Sequence, residues 1–245
     1  MIKYAATTDR GIRDANEDRV LVAGVILDKG DVDGMAKSCL LAVVCDGVGG
    51  EAFGAKAAQL AVETISKFPH ITTHDEALDA VEKINAAILT AQGKDEAHSR
   101  MACTVAGISV YEDNVVIFNV GDSKVYRFRT PYIAQLSVDH TYAKEAMEAG
   151  VISDINQLTK KNQHRITRCM GEKEAWKPDI HQSQFREGDI YLLCSDGLSD
   201  VVDEEELEKI LFQSASPETK CKQLLALAMT LNSQDNISII ILEAH

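Results

Sequence analysis

Four aspartates lie where apolar, strand-like runs of this chain end or begin. They are Asp46 after residues 40–45, Asp122 after residues 115–121, Asp196 after residues 190–195, and Asp235, which with Asn236 directly precedes residues 237–242. A carboxylate at a strand end is held by the sheet, so several can meet there. Converging carboxylates cannot all stay ionised unless a cation neutralises them. Because Mg²⁺ and Mn²⁺ prefer such oxygen ligands, the pattern predicts a metal site of hydrolytic type.

A second segment of chemical interest covers residues 8–18, Thr-Asp-Arg-Gly-Ile-Arg-Asp-Ala-Asn-Glu-Asp. It places Arg13 five positions before Asp18, with Glu17 beside the aspartate. Arginine suits phosphate because its planar guanidinium can donate two parallel, charge-assisted hydrogen bonds. Taken alone, Arg13 would be a solvated surface residue. Next to a carboxylate-bound metal pair, it indicates hydrolysis of a phosphoester.

The composition is that of an ordinary globular protein and excludes several classes. The chain has 245 residues, of which 45% are apolar and 26% charged. We predict one domain over residues 1–245, although two small domains would also fit this length. A net charge of −13 argues against nucleic acid, whose phosphates demand basic patches. No run approaches the roughly 20 apolar residues of a membrane span, and the start lacks a secretory signal, so a cytoplasmic location is predicted.

The six cysteines agree with a reducing compartment. None forms a Cys-x-x-Cys pair, so neither a zinc knuckle nor a redox dithiol is indicated. Most lie in or beside apolar runs, which is typical of buried free thiols. A cysteine-dependent phosphatase is excluded, because no cysteine has an arginine six positions later.

The elements that must position these side chains follow from hydrophobic periodicity. Apolar residues at helical spacing predict helices over residues 51–68 and about 75–92. Thr73 and Glu76 offer the second helix a capping box. A serine-proline start predicts a third helix over residues 216 to about 232.

The strand-like segments are grouped rather than alternating one by one with helices. They are an initial strand and residues 18–26, 39–45, 103–110, 115–120, 180–195 and 237–242. A polar turn at residues 112–114 indicates a hairpin and therefore antiparallel pairing. Residues 139–172 are polar and partly helical, which indicates a surface insertion. The predicted fold class is α+β: two antiparallel β-sheets packed as a central sandwich and flanked by α-helices on both sides, a four-layer αββα arrangement.

Five motifs occur in a recognisable order. They are Arg13-x-x-x-Glu17-Asp18, Asp46-Gly47-x-Gly49-Gly50, Gly121-Asp122-Ser123, Ser195-Asp196-Gly197-Leu198-x-Asp200 and Asp235-Asn236. Any one Asp-Gly pair is ordinary turn chemistry, whereas five motifs in this order and spacing are specific. From Thr7 to Leu242 the chain resembles the metal-dependent Ser/Thr protein phosphatases, the type-2C family, in its compact bacterial-like form.

The resemblance implies two core metal ions, Mn²⁺ or Mg²⁺. Asp46 would bridge them, with the carbonyl of Gly47 as a further ligand. Asp196 and Asp235 would complete the protein ligands of the first ion.

The remaining carboxylates would serve the second ion and a possible third one. Glu17 would hold waters of the second ion, with Asp18 close behind. Asp122 and Asp200 match positions that can form a third metal site together with Asp196. Without the resemblance, Asp200 would be an unremarkable exposed acid.

The implied reaction is hydrolysis of phosphoserine and phosphothreonine in proteins, with no covalent intermediate. Two cations bridged by Asp46 would lower the pKa of a shared water and produce hydroxide near neutral pH. The hydroxide would attack phosphorus in line while Arg13 and the metals take up charge on the phosphoryl oxygens. Phosphorylated proteins are therefore the expected partners and a Ser/Thr kinase the opposing enzyme. A monomer is expected, without nucleic-acid or membrane partners.

The segment over residues 139–172 matches the mobile flap beside the active site of this family. One position departs from the pattern: some members have a histidine after the first Asp-Gly, proposed as a general acid, where this chain has Val48. Since valine cannot donate a proton, metal-bound water would protonate the leaving group, or turnover would be slower. His140 in the flap segment could approach the site, but we expect an ordinary surface residue there.

Two alternatives stay open. The first is a catalytically weak phosphoprotein-binding or sensor member of the same fold. Loss of a metal carboxylate would favour it, and none is missing here. The second is a small-molecule phosphomonoesterase, because substrate choice depends on shallow surface contacts and on the flap.

Overall fold

Two six-stranded antiparallel sheets form the centre of the computed structural model, which describes residues 1–48, 52–93, 100–173 and 177–245. The first sheet has the spatial order β11 (Tyr132–Gln135), β10 (Lys124–Arg129), β13 (Ile190–Cys194), β14 (Ile237–Ala244), β1 (Ile2–Asp9), β4 (Gly30–Ala36). The second has the order β12 (Asp179–Gln184), β9 (Asn114–Val120), β8 (Val105–Tyr111), β5 (Cys39–Cys45), β2 (Arg19–Val22), β3 (Val25–Leu27). A short pair, β6 (Gly47–Val48) with β7 (Ala102–Cys103), continues beyond β5.

Helices cover the outer faces of both sheets. Those on the second sheet are α1 (Ala52–Ile65) and α2 (His74–Gln92), and those on the first are α5 (Asp196–Ser199), α6 (Glu204–Leu211) and α7 (Pro217–Thr230). The insertion contains α3 (Tyr142–Glu148), a 3-10 turn (Ile155–Gln157) and α4 (Lys160–Gln163). Within the described part of the chain, every helix is too short or too polar to span a bilayer.

The apolar side chains form three layers that alternate along the central strands. In the first sheet Leu193 and Ile240 point into the space between the sheets. Their neighbours Leu192 and Ile241 pack under the helices. Successive side chains of a strand face opposite sides, so a strand that is apolar throughout must be covered on both faces. The predicted αββα arrangement of two antiparallel sheets and outer helices is confirmed.

Helix starts were predicted closely because capping is local. Thr73 accepts from the backbone N–H of Glu76, and the Glu76 side chain reaches back, so the capping box is confirmed. The helix expected over residues 51–68 ends at Ile65 instead, and residue 51 lies outside the described residues. The third helix starts at Pro217 as predicted, behind Ser216 as N-cap.

Two strand predictions need correction, and one edge strand was missed. Residues 18–26 are not one strand but the hairpin β2–β3, with a tight turn at Ala23-Gly24. Residues 180–195 contain two strands that belong to different sheets, β12 and β13. The edge strand β4 was not predicted, because Gly-Asp-Val-Asp-Gly-Met-Ala has weak strand propensity and is held by pairing with β1.

Candidate metal-binding active site

A cleft of about 220 Å³ opens where β5 ends. Its lining comes from distant parts of the chain and consists of Arg13, Glu17, Asp46, Gly47, Val48, Ile166, Asp196, Asp235 and Asn236. Six of the nine predicted site residues are therefore in one place. The other three, Asp18, Asp122 and Asp200, lie close by without lining the cleft. Gly49 and Gly50 of the second motif are outside the described residues.

Strand pairing explains why the carboxylates meet. β5 ends at Cys45, which pairs with Arg19 at the start of β2. Asp46, after β5, and Asp18, before β2, are therefore neighbours at the same edge of the sheet. β13 ends at Cys194, which pairs with Ile239 of β14. Because β13 and β14 are antiparallel, the residues that follow β13 lie next to the residues that precede β14.

The backbone of Asp46 is held by a buried threonine that the motifs did not include. Asp46 N donates to Thr104 Oγ1 at 3.1 Å, and Thr104 N donates to the Asp46 carbonyl at 2.8 Å. The Thr104 and Ser123 hydroxyls are 2.7 Å apart. Thr104 directly precedes β8 without an Asp or Gly beside it, so no local signal marked it.

Burial and mutual repulsion dominate the electrostatics of the cleft. Burial, followed by the charges of Asp18 and Asp196, raises the pKa of Asp46 well above its ordinary value. The pKa of Asp196 is likewise raised by burial, then by Asp122 and Asp200. Carboxylates in this arrangement cannot all be ionised at neutral pH without a compensating cation.

Asp18 and Asp122, which lie next to the cleft without lining it, also have raised pKa values. Burial raises the pKa of Asp18 from 3.8 to about 6, against the opposing effect of hydrogen bonds from Ser238 and Ser195. For Asp122, burial and then the charge of Asp200 raise the pKa from 3.8 to about 7.

Several carboxylate oxygens of the site are buried without a hydrogen-bond partner in the described part of the chain, which indicates whether a cation would fit there. Oδ1 of Asp18, Asp122 and Asp196 is buried without a hydrogen-bond partner among the described residues. Such an oxygen is costly to bury unless something positive contacts it. Among the described residues, no three His, Cys, Asp or Glu side chains are placed so that they could hold a metal ion by themselves. Mg²⁺ keeps several waters and takes one or two carboxylates, so the donor set fits hydrated hard cations.

Asp18 is oriented by two serine hydroxyls. Ser195 Oγ and Ser238 Oγ donate to its Oδ2 at 2.8 and 2.7 Å. The Ser238 hydroxyl is also 2.7 Å from that of Thr8. With Oδ2 held in this way, the unpartnered Oδ1 has a fixed direction. Ser238 was missed because a serine inside an apolar strand carries no signal of its own.

Asn236 organises the loop that carries Arg13 and Glu17. Its Nδ2 donates to the carbonyls of Arg10 and Ala15, both at 2.9 Å. Its Oδ1 accepts from the backbone N–H of Glu17 at 2.8 Å. The sequence singled out Asn236 only as the neighbour of Asp235, whereas the structure shows that it fixes three points of a distant loop.

Arg13 lies at the mouth of the cleft in contact with a predicted metal ligand. Its Nη2 donates to Asp235 Oδ2 at 2.6 Å, and its Nε donates to the Gln234 carbonyl at 2.8 Å. The Arg13 side chain is 50% exposed, so it can be reached from solvent.

Asp200 contacts both the cleft residue Asp196 and the segment over residues 139–172. His164, just after α4, approaches Asp200 Oδ2 with its Nδ1 at 2.9 Å. Burial raises the pKa of Asp200, and the neighbouring His164 opposes this rise.

The flap segment is partly as expected and partly not. Much of residues 139–172 is exposed, and Ile166 from this segment lines the cleft beside the metal residues. The expectation for His140 was wrong, because its side chain is only 1% exposed. Its burial comes from β12 and the β9–β10 turn, which are distant in sequence.

The comparison with known families agrees with this geometry. A family model described as protein phosphatase 2C matches residues 28–232. The chain belongs to the protein phosphatase 2C family. The match spans β4 to α7 and thus includes Asp46, Asp122 and Asp196.

Individual relatives within the protein phosphatase 2C family are similar over nearly the whole chain. The serine/threonine phosphatase Stp of Listeria monocytogenes is 29% identical over 245 residues, 96% of this chain and 93% of that protein. The structure of the Staphylococcus aureus serine/threonine phosphatase Stp1 has a TM-score of 0.87 at 27% identity and covers 100% of this chain and 96% of its own. The catalytic domain of the phosphatase PstP, solved in complex with two manganese ions, has a TM-score of 0.82 at 27% identity and covers 99% and 97%. The predicted family is confirmed, and the predicted enzyme class agrees with these relatives.

Proposed function

We propose that this chain is a Mn²⁺- or Mg²⁺-dependent protein phosphatase that hydrolyses phosphoserine and phosphothreonine esters. The observation that carries the proposal is the meeting of Asp46, Asp196 and Asp235 with Arg13 in one cleft. Buried acids with raised pKa values need cations, and a solvent-accessible guanidinium beside them suits a phosphoryl group. Membership of the protein phosphatase 2C family and its named relatives support the same chemistry.

The metal residues are proposed as the resemblance implied them. Asp46, Asp196 and Asp235 would hold the first cation. Asp46 would also hold the second, with the Gly47 carbonyl as a further ligand, and Glu17 would hold waters of the second cation. Asp18 supports the second ion from behind. When bound, the cations supply a water activated for attack on phosphorus and neutralise phosphoryl charge.

A third cation is proposed beside the first. Asp122 and Asp200 would hold it together with Asp196, whose pKa is raised first by burial and then by the charges of these two neighbours.

The other residues of the cleft bind and orient the ester. Arg13 takes phosphoryl oxygens, because its guanidinium is anchored by Gln234 and Asp235 at the rim. Val48 and Ile166 give the cleft apolar wall surface. Val48 can neither donate nor accept a proton, so this position contributes nothing to protonation of the leaving alkoxide.

The wider setting is also a proposal. Phosphoserine and phosphothreonine are made by kinases, so a Ser/Thr kinase is the expected opposing enzyme. The free, mostly buried cysteines favour the cytoplasm. We propose residues 1–245 as one catalytic domain, with residues 139–172 as its flap. A monomeric state stays a prediction, which light scattering after size-exclusion chromatography tests.

The decisive experiment measures phosphate release from phosphoserine and phosphothreonine peptides with Mn²⁺. We expect turnover that a chelator abolishes and that Asp196→Ala and Asp235→Ala lower by at least about 100-fold. Asp33→Ala, on the exposed edge strand β4, is the matched control and keeps full activity.

Two outcomes contradict the proposal in different ways. If neither phosphopeptides nor p-nitrophenyl phosphate are hydrolysed, the phosphoprotein-binding or sensor function is correct instead. If small phosphomonoesters are hydrolysed and phosphopeptides are not, the chain is a small-molecule phosphomonoesterase.

A further inference from the structure

The turn between β9 and β10 carries Asp122, which is buried and has an unpartnered Oδ1. Gly121 adopts a left-handed backbone conformation with φ of +106°, which residues other than glycine rarely adopt. A Cβ there would also stand 2.6 Å from Thr104 Cγ2. The turn is therefore tightly packed on the threonine that holds Asp46.

Two residues at the start of the flap hold both ends of this turn. His140 N donates to the Gly121 carbonyl at 3.0 Å, and Gly121 N donates to His140 Nδ1 at 3.0 Å. At the other end, the Lys124 ammonium is paired with Asp139. Asp122 lies between these two attachments.

The hydrogen bonds of His140 determine its protonation. Nδ1 accepts from a backbone N–H, so it carries no proton and the imidazole is neutral. Nε2 then carries the hydrogen and donates to Asp179 Oδ2 at 2.6 Å. Burial lowers the pKa of His140, which agrees with the neutral form. A neutral, fully engaged imidazole is unsuited to acid catalysis and well suited to fixing its neighbours.

His140 also contacts the far end of the flap. Thr167 N donates to the His140 carbonyl at 2.9 Å. Arg168 Nη1 lies 3.7 Å from Asp179 Oδ2, the acceptor of the His140 side chain, and Arg168 Nη2 lies 3.6 Å from Glu145 of α3. The imidazole thus stands between the turn, strand β12 and both ends of the flap.

We propose that His140 is a positioning residue for Asp122: it fixes the Gly121 end of the turn and ties the turn to the flap. The proposal rests on the proposed function, in which Asp122 helps to hold a third cation. It assigns the Asp139-His140 pair, which the proposed chemistry leaves unused, to the support of that site.

Two substitutions distinguish the two side-chain hydrogen bonds of His140, because each of them keeps one bond and removes the other. In His140→Asn the amide oxygen lies near the Nδ1 position and can accept from Gly121 N. In His140→Gln the longer amide reaches the Nε2 position and can donate to Asp179, while the bond to Gly121 is lost. Asp179→Asn keeps an acceptor for Nε2 and serves as a control.

The readout is calorimetric titration of chelator-treated protein with MnCl₂. We expect Asp122→Asn to weaken one Mn²⁺-binding step at least tenfold. His140→Gln should weaken the same step about tenfold, as outer partners of metal ligands do. His140→Asn should weaken it less than about threefold, and Asp179→Asn should leave it unchanged.

Thermal unfolding in chelator separates positioning from general destabilisation. Equal Tm losses in His140→Asn and His140→Gln with unequal Mn²⁺ affinities support the proposal. Equal Mn²⁺ affinities in the two variants overturn it, as does a wild-type protein without an Asp122-dependent binding step. Turnover of a phosphopeptide by the same wild-type preparation tests the proposed function separately, because the titration needs no substrate.

Discussion

Arg13 Nη2 donates to Asp235 Oδ2 at 2.6 Å, so the arginine predicted to bind phosphate lies against a carboxylate predicted to bind metal. Both side chains are partly exposed, at 50% and 34%, so the ion pair by itself contributes little to stability. Its consequence is positional. The contact orients a guanidinium at the rim of the cleft, where a phosphoryl group would meet the cations.

Replacing Arg13 should therefore affect substrate more than metal. We expect Arg13→Ala to lower kcat/KM for phosphopeptides by about 10- to 100-fold, with Mn²⁺ affinity changed less than about threefold. Arg13→Lys should recover little, because an ammonium lacks the planar fork. Steady-state kinetics and Mn²⁺ calorimetry measure the two effects. A loss of Mn²⁺ affinity as large as in Asp235→Ala would show that Arg13 serves the metal ligand instead.

The buried carboxylates predict an unusual pH dependence of stability in chelator. The folded pKa is about 6 for Asp18 and about 7 for Asp122, both above the ordinary 3.8. Between about pH 4 and 7 the folded state therefore binds more protons than the unfolded state, and the contribution of these groups to the free energy of unfolding rises as the pH falls. Thermal unfolding between pH 5 and 8 should show a smaller gain on acidification for Asp122→Asn than for wild type. Parallel profiles would contradict the raised pKa of Asp122.

Saturating Mn²⁺ should reverse this trend. The cation binds the ionised carboxylates, so protons compete with it and its stabilisation grows with pH. At 100 times the Kd, binding adds about 2.7 kcal/mol to the free energy of unfolding. We expect the Tm difference between Mn²⁺ and chelator to be larger at pH 8 than at pH 5.5. A pH-independent difference would mean that the cation does not replace protons in the cleft.

Gly54 of α1 sets the position of Glu17. A Cβ on Gly54 would lie 2.1 Å from Glu17 Oε2 and 2.7 Å from the Gly47 carbonyl oxygen. We expect Gly54→Ala to cost about 1–3 kcal/mol of stability and to lower Mn²⁺ affinity by displacing Glu17. Gly93→Ala is the control, since its nearest neighbours are 3.7 Å away and its φ is −71°. Wild-type Mn²⁺ affinity in Gly54→Ala would remove Glu17 from the proposed ligands.

Val48 should make the rate depend strongly on the leaving group. p-Nitrophenolate leaves without protonation, whereas the alkoxide of serine or threonine needs a proton. We expect Val48→His to raise kcat for phosphopeptides about tenfold or more and to leave kcat for p-nitrophenyl phosphate within about twofold. Val48→Leu is the control for bulk. An equal gain on both substrates would show that the histidine acts on binding or metal affinity.

Local patterns explain most of what could be predicted of the fold. Continuous apolar runs such as residues 39–45 indicated strands covered on both faces, and the capping box at Thr73 marked a helix start. Strand β4 was not predicted, because its residues have weak strand propensity and its conformation is determined by pairing with β1. His140 was misjudged for a related reason: burial depends on which elements cover a residue.

Sequence alone determined the types, order and spacing of the site residues, and with them the family. Only the tertiary structure decided that Arg13 contacts Asp235, 222 residues away, and that Thr104, Ser238 and Asn236 orient the carboxylates. The physical reason is that pKa shifts and hydrogen bonds depend on distance and burial. Distance and burial in turn depend on how the two sheets bring together strand ends that are far apart in sequence. No local sequence pattern carries that information.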